Sequence, residues 1–297
     1  MSPLPMTGYH VAEDRAVLRV SGADRIEFLQ GIVSNDVAKA GRDRGVWAAF
    51  VTPQGKYLHD FFVAADGESI LLDCEKARAD DLRKRLRRYT LRSDARVEAA
   101  DDLVVALASA PPAPADGAGA CFPDPRHREA GYRLIGARSA VERVLTDAGL
   151  APADPRDWDR RRLALGLPDG SRDLEIERST LAEANADLLG GIDWEKGCWM
   201  GQEVTARMHY RGLAKRRLTP MRVEGPIPAR GATVERGGKP VGECRSSAGG
   251  LVMVLARTEA IDKTETGLSC GETRLHPAPP EWLKTALADS GAKAQSA

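Results

Sequence analysis

Lys196-Gly197-Cys198-Trp199-Met200-Gly201-Gln202-Glu203, continued by Val204-Thr205-Ala206-Arg207-Met208-His209-Tyr210-Arg211-Gly212, is the stretch around which the chain is organised. Two glycines bracket one cysteine. Glycine takes φ > 0 without a Cβ penalty and lets other groups approach the backbone closely, so Cys198 is expected on a tight, exposed turn. From Gln202 onward the residues predict a helical turn or short helix. Glu203 and Arg207 stand at i,i+4 in the favourable acidic-before-basic order. A thiol at a helix N-terminus, beside Lys196 and near Arg207, has its thiolate favoured by the helix dipole and by positive charge. The alternative is a small buried packing residue, because free cysteine is among the most buried side chains. Spacing alone leaves both readings open.

The chain has 297 residues, enough for two or three domains and an ample core. Its 43 basic side chains balance 43 acidic ones, so net charge gives no reason to expect a nucleic acid or an anionic membrane as partner. No run approaches the apolar length of a membrane-spanning helix. Residues 1–10 have neither the basic and apolar regions of a signal peptide nor the Arg/Ser-rich character of a transit peptide, which predicts a cytoplasmic protein. Cys74, Cys121, Cys198, Cys244 and Cys270 are odd in number, widely spaced and free of any Cys-x-x-Cys pair. A disulfide framework, a zinc site and a stably bound iron–sulfur cluster are therefore not expected, and no metal site is assigned.

Upstream, residues 16–20, 46–51, 57–64 and 69–73 read as strands, with Thr52-Pro53-Gln54-Gly55-Lys56 as a hairpin between the second and third. Residues 23–31 read as a short helix closed by glycine. Ser34-Asn35-Asp36 is either a turn held by side-chain to backbone bonds or the polar rim of a ligand site. Residues 76–89 form the clearest helix, with Leu82, Leu86 and Tyr89 at spacings of four and three. Its basic face, interrupted by Asp80 and Asp81, favours a solvated surface over a phosphate site; Arg92, just beyond, is within reach of an anionic ligand. Strands are expected at 95–99, 103–108 and 132–135, and helices at 140–148 and 157–165. The Pro/Gly/Ala-rich segment 110–119 reads as a surface loop. After Gly212, β segments at 215–223, 233–236, 239–244 and 251–255 are separated by Gly225-Pro226, Gly237-Gly238 and Gly249-Gly250. That pattern predicts a small closed barrel. The fold class is α+β. The expected divisions are an N-terminal region of two sub-lobes at 1–212, the barrel at 213–282 and a frayed tail at 283–297.

The octet 196–203 resembles the signature of the YgfZ family of folate-binding proteins, relatives of the glycine-cleavage T-protein. Other matching blocks are Gly22-Ala23-Asp24 with Phe28-Leu29-Gln30-Gly31 and Ser34-Asn35-Asp36-Val37, then Thr52 to Lys56 with Asp60-Phe61-Phe62-Val63, then Tyr89-Thr90-Leu91-Arg92. The glycine-rich stretch around Val241-Gly242 fits the family's C-terminal domain, and residues 110–173 carry no matching motif. The resemblance implies a three-part fold of mixed antiparallel sheets and helices around a cleft for a reduced folate, with a small C-terminal β-barrel. It implies a tetrahydrofolate-binding accessory protein for iron–sulfur cluster assembly or repair, acting on tRNA modification indirectly. Its partners would be iron–sulfur client enzymes or assembly factors.

By the same resemblance Cys198, with Lys196 and Arg207 favouring its thiolate, is the reactive group. A thiolate there can attack an electrophile, accept a one-carbon or sulfur-linked group, or briefly ligate iron. Asn35, Gln54, Asp60, Tyr89, Arg92, Gln202 and Glu203 would serve the folate site, with a helix-start carboxylate as the structural alternative for Glu203. Two positions depart from the pattern. Trp199-Met200 stands where the family usually has Tyr or Phe followed by Thr or Val. His59-Asp60 stands where the T-protein has adjacent aspartates, one of them its catalytic acid. The rival reading is a tetrahydrofolate-dependent aminomethyltransferase or demethylase on the same fold. Aminomethyl transfer is lost if the first aspartate is the essential one.

Overall fold

The computed structural model describes residues 7–112, 119–212, 214–261 and 267–295, with the side chains of the last helix described through Ala288. Most of the Pro-rich loop, at 113–118, lies outside the described residues. The chain divides into two compact units. One is Pro5–Pro155 with Leu189–Gln202; the other contains Arg156–Leu188 and Glu203–Ala297.

The N-terminal unit runs β1 (Tyr9–Val11), β2 (Arg15–Ser21), α1 (Arg25–Gln30), β3 (Val46–Val51), β4 (Tyr57–Asp66), β5 (Ser69–Glu75), α2 (Ala79–Arg87), β6 (Arg96–Ala99), β7 (Leu103–Ala108), β8 (Ala120–Pro123), β9 (Tyr132–Ala137) and α3 (Arg138–Asp147). It holds two antiparallel sheets, ordered β3-β4-β5-β2-β6 and β1-β7-β9-β8. All six residues of β3 are buried, so the larger sheet is covered on both faces at its edge. Successive side chains alternate between those faces. Phe61 and Val63 of β4 join Leu18, Val20, Phe50 and Leu72 beneath α1 and α2. Leu82 and Leu86, four residues apart, supply the buried stripe of α2. Each such side chain stabilises the unit by about 1.5–3 kcal/mol on burial. The outer face of α2 is solvated: Asp80 pairs with Arg83 and Lys84, each at 2.6 Å, and Asp81 pairs with Arg85 at 3.0 Å.

The opposite face of the larger sheet carries charge. Asp73 of β5 accepts from Arg15 Nε and from Arg133 Nη1, both at 2.6 Å. Arg133, on β9, also donates to Asp124 at 3.2 Å, and Arg126 to the same carboxylate at 2.8 Å. The Arg133 guanidinium lies 3.4 Å and that of Arg126 4.7 Å from the Phe62 ring centroid. Burial opposes ionisation of Asp124, yet Arg126 and Arg133 outweigh it and hold the carboxyl at about 2. These partners come from both sheets, so the network ties them together.

The barrel unit contains α4 (Pro155–Ala164), α5 (Gly170–Asp173), α6 (Gln202–Tyr210), β10 (Arg216–Glu224), β11 (Thr233–Arg236), β12 (Lys239–Ala248), β13 (Leu251–Arg257), α7 (Thr258–Ile261), β14 (Leu268–Cys270), β15 (Thr273–Pro277) and α8 (Glu281–Gln295). Its six strands close in the order β10-β13-β12-β11-β14-β15, with β15 pairing back onto β10. Met221, Val234, Cys244, Val252, Val254 and Leu275 fill the interior. β14 and β15 escape a sequence reading because three and five residues show too little alternation. The segment expected to fray instead carries α8. Leu283 is fully buried, and Trp282 Nε1 donates to the Leu165 carbonyl at 3.0 Å. Alanine and lysine, frequent in this segment, are strong helix formers.

Candidate functional site

Cys198 is exposed, whereas Cys74 and Cys244 are buried and Cys121 and Cys270 half-buried. Burial pushes the Cys74 thiol up to about 12 and that of Cys121 to about 11, which keeps them unreactive. The packing alternative for Cys198 therefore does not hold. Its neighbour Trp199 is the residue that packs, at 6% exposure.

The loop bearing Cys198 is fixed by residues 31–35. Ser34 donates its hydroxyl to the Gly191 carbonyl at 2.6 Å and accepts from the Ala49 N–H at 2.9 Å. Asn35 Nδ2 donates to the carbonyls of Trp47 and Gly190, both at 2.7 Å. Met200 N–H donates to the Gly31 carbonyl at 3.1 Å. Lys196 reaches back along the same line, its Nζ donating to the carbonyls of Val33 at 2.8 Å and Asn35 at 2.7 Å. Burial, opposed by Asp36 and Asp193, lowers the Lys196 ammonium to about 8. Asp193 shapes the turn that leads into the octet. Its Oδ1 accepts from the N–H groups of Glu195 at 2.9 Å and Lys196 at 3.0 Å, and its Oδ2 pairs with Lys39.

Thus Ser34 and Asn35 have their side chains engaged with the loop, and Lys196 acts through backbone carbonyls. Gln202 is engaged too: its Oε1 accepts from the Trp199 N–H at 3.3 Å and its N–H donates to the Trp199 carbonyl at 3.2 Å. The helix expected near the cysteine starts at Gln202, so Cys198 precedes α6 by a turn. Glu203 and Arg207 lie exposed on α6 in the barrel unit.

Gly201 seats the loop against the β3–β4 hairpin. Its φ is +84°, and a Cβ there would stand 2.6 Å from Val51 Cγ2 and 2.7 Å from the Thr52 carbonyl oxygen. Gln54, on the same hairpin, is exposed. Tyr89 packs edge-on to Phe50, with centroids 6.1 Å apart, and its hydroxyl lies 3.7 Å from Met200 Sδ. Arg92 is exposed nearby in sequence.

Asp60 is enclosed. It accepts from Trp47 Nε1 at 2.9 Å and Tyr57 OH at 2.8 Å, and burial above all raises its carboxyl from the ordinary value. His59 is 3% exposed and meets Asp81 Oδ2 at 2.9 Å. Burial first, then Arg78, lowers it to about 4 against the pull of Asp81.

One pocket of about 500 Å³ adjoins this loop. It is lined by Asn35, Lys39, Arg44, Trp47, Asp193 and Trp194 among others. Of the seven residues expected at a folate site, only Asn35 is among its walls. Lys39, Arg44, Trp47 and Trp194 are not among the residues that the sequence points to. A lone tryptophan in an apolar strand and isolated basic residues carry no local signal for a shared cavity. Among the described residues no group of three or more His, Cys, Asp or Glu side chains is arranged to hold a metal ion.

Comparison with known proteins adds three kinds of likeness. Residues 215–285 match the family model described as CAF17, C-terminal beta-barrel domain. The iron–sulfur cluster assembly factor IBA57, mitochondrial, of Mus musculus is 30% identical over 308 residues, covering 92% of this chain and 85% of that protein. Its Homo sapiens counterpart is 31% identical over 277 residues, covering 84% and 77%. The homolog in Pyricularia oryzae is 28% identical over 283 residues, covering 85% and 72%. The crystal structure of glycine cleavage system aminomethyltransferase T from Bartonella henselae superposes with a TM-score of 0.72 over 93% of this chain and 85% of that one. At 15% identity it speaks to fold alone. All three relatives are named as mitochondrial proteins, which overturns the cytoplasmic placement expected from residues 1–10.

Proposed function

Since this chain belongs to the IBA57 family, whose named members are iron–sulfur cluster assembly factors, we propose that it serves iron–sulfur cluster assembly through Cys198. The observation that carries this is an exposed thiol on a loop fixed at both ends, by the Lys196 ammonium and by Gly201. Clusters are held by several thiolates or imidazoles. A single thiol on an ordered loop fits one ligand of a cluster in transit, with the remaining ligands supplied by the protein that delivers or receives it. Proton loss from Cys198 generates the ligand.

The proposal includes a reduced folate, which would supply a nitrogen able to carry a one-carbon group. The pocket beside the loop fits such a molecule in size and in chemistry. Trp194 offers an aromatic face and Arg44 positive charge for a glutamate tail, while Lys39 and Asp193, paired with each other, add a polar wall. Asn35 acts here by holding Gly190 and Trp47 in place. Effects on tRNA modification would follow through an iron–sulfur client. Aminomethyl transfer is not part of the proposal: His59 and Asp60 are both turned to internal partners.

The test is genetic. The natural protein and Cys198→Ala are returned to a deletion strain at equal expression, and an iron–sulfur enzyme is assayed. The natural chain should restore activity and the variant should fail, with thermal stability unchanged because the side chain is exposed. Equal rescue would remove the cysteine from the mechanism. Titration of purified protein with tetrahydrofolate tests the pocket, and replacing the exposed Arg44 by alanine should weaken binding.

A further inference from the structure

We propose that residues 87–92, where α2 ends, are the docking surface for the partner that exchanges cluster with Cys198, and that this partner presents an acidic segment carrying an apolar side chain. This rests on the assembly reading above.

Leu91 is 89% exposed and Tyr89 46%. Arg87, Arg88 and Arg92 are exposed around them. Upstream on and before the same helix, Arg78, Arg83, Lys84 and Arg85 all pair with Asp80 or Asp81. Among the described residues no carboxylate pairs with Arg87, Arg88 or Arg92. The next acid in the chain, Asp94, is turned to the segment before α1, where it accepts from the Ala23 N–H at 3.2 Å. Neutralisation therefore stops at Arg85, two residues before the helix ends. The helix dipole accounts for basic residues at a C-terminus. It does not account for a leucine standing in water beside them.

Leu91 is held outward by an ordered turn. Tyr89 N–H donates to the Leu86 carbonyl at 2.9 Å, Thr90 Oγ1 to the Arg87 carbonyl at 3.0 Å, and Ser93 N–H to the Thr90 carbonyl at 3.0 Å. The turn is also tied to the octet, because the Tyr89 hydroxyl meets Met200 Sδ at 3.7 Å. Cys198 lies two residues before Met200, at most about 7 Å of extended chain. A protein seated on this turn is thus brought beside the thiol. Arginine and tyrosine are the side chains that interfaces favour, and unpaired arginines steer an acidic partner. A phosphate-rich ligand would use the arginines and leave Leu91 and Tyr89 without a role, so a protein fits better than a nucleic acid or a lipid surface.

The experiment returns three full-length chains to the deletion strain: Leu91→Asp, the double reversal Arg88→Glu/Arg92→Glu, and the conservative Arg88→Lys/Arg92→Lys. The first two should lower the rescued iron–sulfur enzyme activity at least tenfold, and the lysine chain should retain it. Purified Leu91→Asp should keep its thermal midpoint, and iodoacetamide should alkylate its Cys198 within twofold of the natural rate. Full rescue by Leu91→Asp or by the double reversal overturns the proposal. So does binding of bulk tRNA, or of phosphatidylserine vesicles, by the natural protein at physiological ionic strength if the reversals abolish it. Should Cys198→Ala rescue while Leu91→Asp fails, the cysteine reading falls and the docking surface stands.

Discussion

Replacing Gly201 by alanine should damage the protein far more than replacing Gly197, although the two flank the same cysteine. Gly201 has φ +84°, where an L residue costs about 1–2 kcal/mol. Its added methyl would also meet Val51 Cγ2 at 2.6 Å, the Thr52 carbonyl oxygen at 2.7 Å and Gly55 Cα at 3.2 Å. Two of those three are backbone atoms that cannot rotate away, and forced overpacking costs about 1–3 kcal/mol. Together the terms give about 2–5 kcal/mol for Gly201→Ala. Gly197 lies outside the left-handed region, and nothing stands within 4 Å of its would-be methyl. Gly197→Ala should therefore remain within about 0.5 kcal/mol of the natural chain. Urea unfolding measures both, and the rate of Cys198 alkylation by iodoacetamide reports whether the loop has lifted from the hairpin. Stability of Gly201→Ala within 0.5 kcal/mol of the natural protein, at an unchanged alkylation rate, would refute the seating of the loop. A comparable loss in Gly197→Ala would do the same.

Two further outcomes test the scaffold. Arg133→Met removes the guanidinium shared by Asp73 and Asp124 and should cost about 3–5 kcal/mol, because breaking a buried pair leaves charge uncompensated. A calorimetric loss under about 1 kcal/mol would show that Arg15 and Arg126 suffice. His59 takes a proton only below about 4 in the folded chain, while the unfolded chain binds one below about 6.5. Falling pH therefore favours the unfolded state between those values, by about 3 kcal/mol at most. His59→Gln should flatten the stability profile from pH 6.5 to 4 relative to the natural protein, and parallel profiles would discount the histidine.

What the sequence made legible was local. Strand β3 and the stripe of Leu82 and Leu86 follow from runs and spacings within a few residues, and glycine pairs mark the barrel turns. The octet also drew attention to the thiol that the structure leaves exposed. The buried network was invisible for the opposite reason. Arg15 and Asp73 are 58 residues apart, and Asp73 and Arg133 are 60. Each alone looks like surface charge, and Arg126 and Arg133 fall in the middle region that bears no motif. The function of Asn35 was half legible. Its residue type suggested polar contact, but only the fold reveals that its amide grips Trp47 and Gly190.

The N-terminal unit is assembled from two separate pieces of chain, Pro5–Pro155 and Leu189–Gln202. A ribosome adding about 5–20 residues per second needs several seconds more to deliver the second piece after the first has emerged. Until then the carbonyls of Val33 and Asn35 lack the ammonium that later caps them. In that interval water has to satisfy those carbonyls. The thiol and the lysine that fixes its loop are two residues apart and arrive together. Lys196 precedes Cys198, so this thiol is never synthesised before the lysine that fixes its loop.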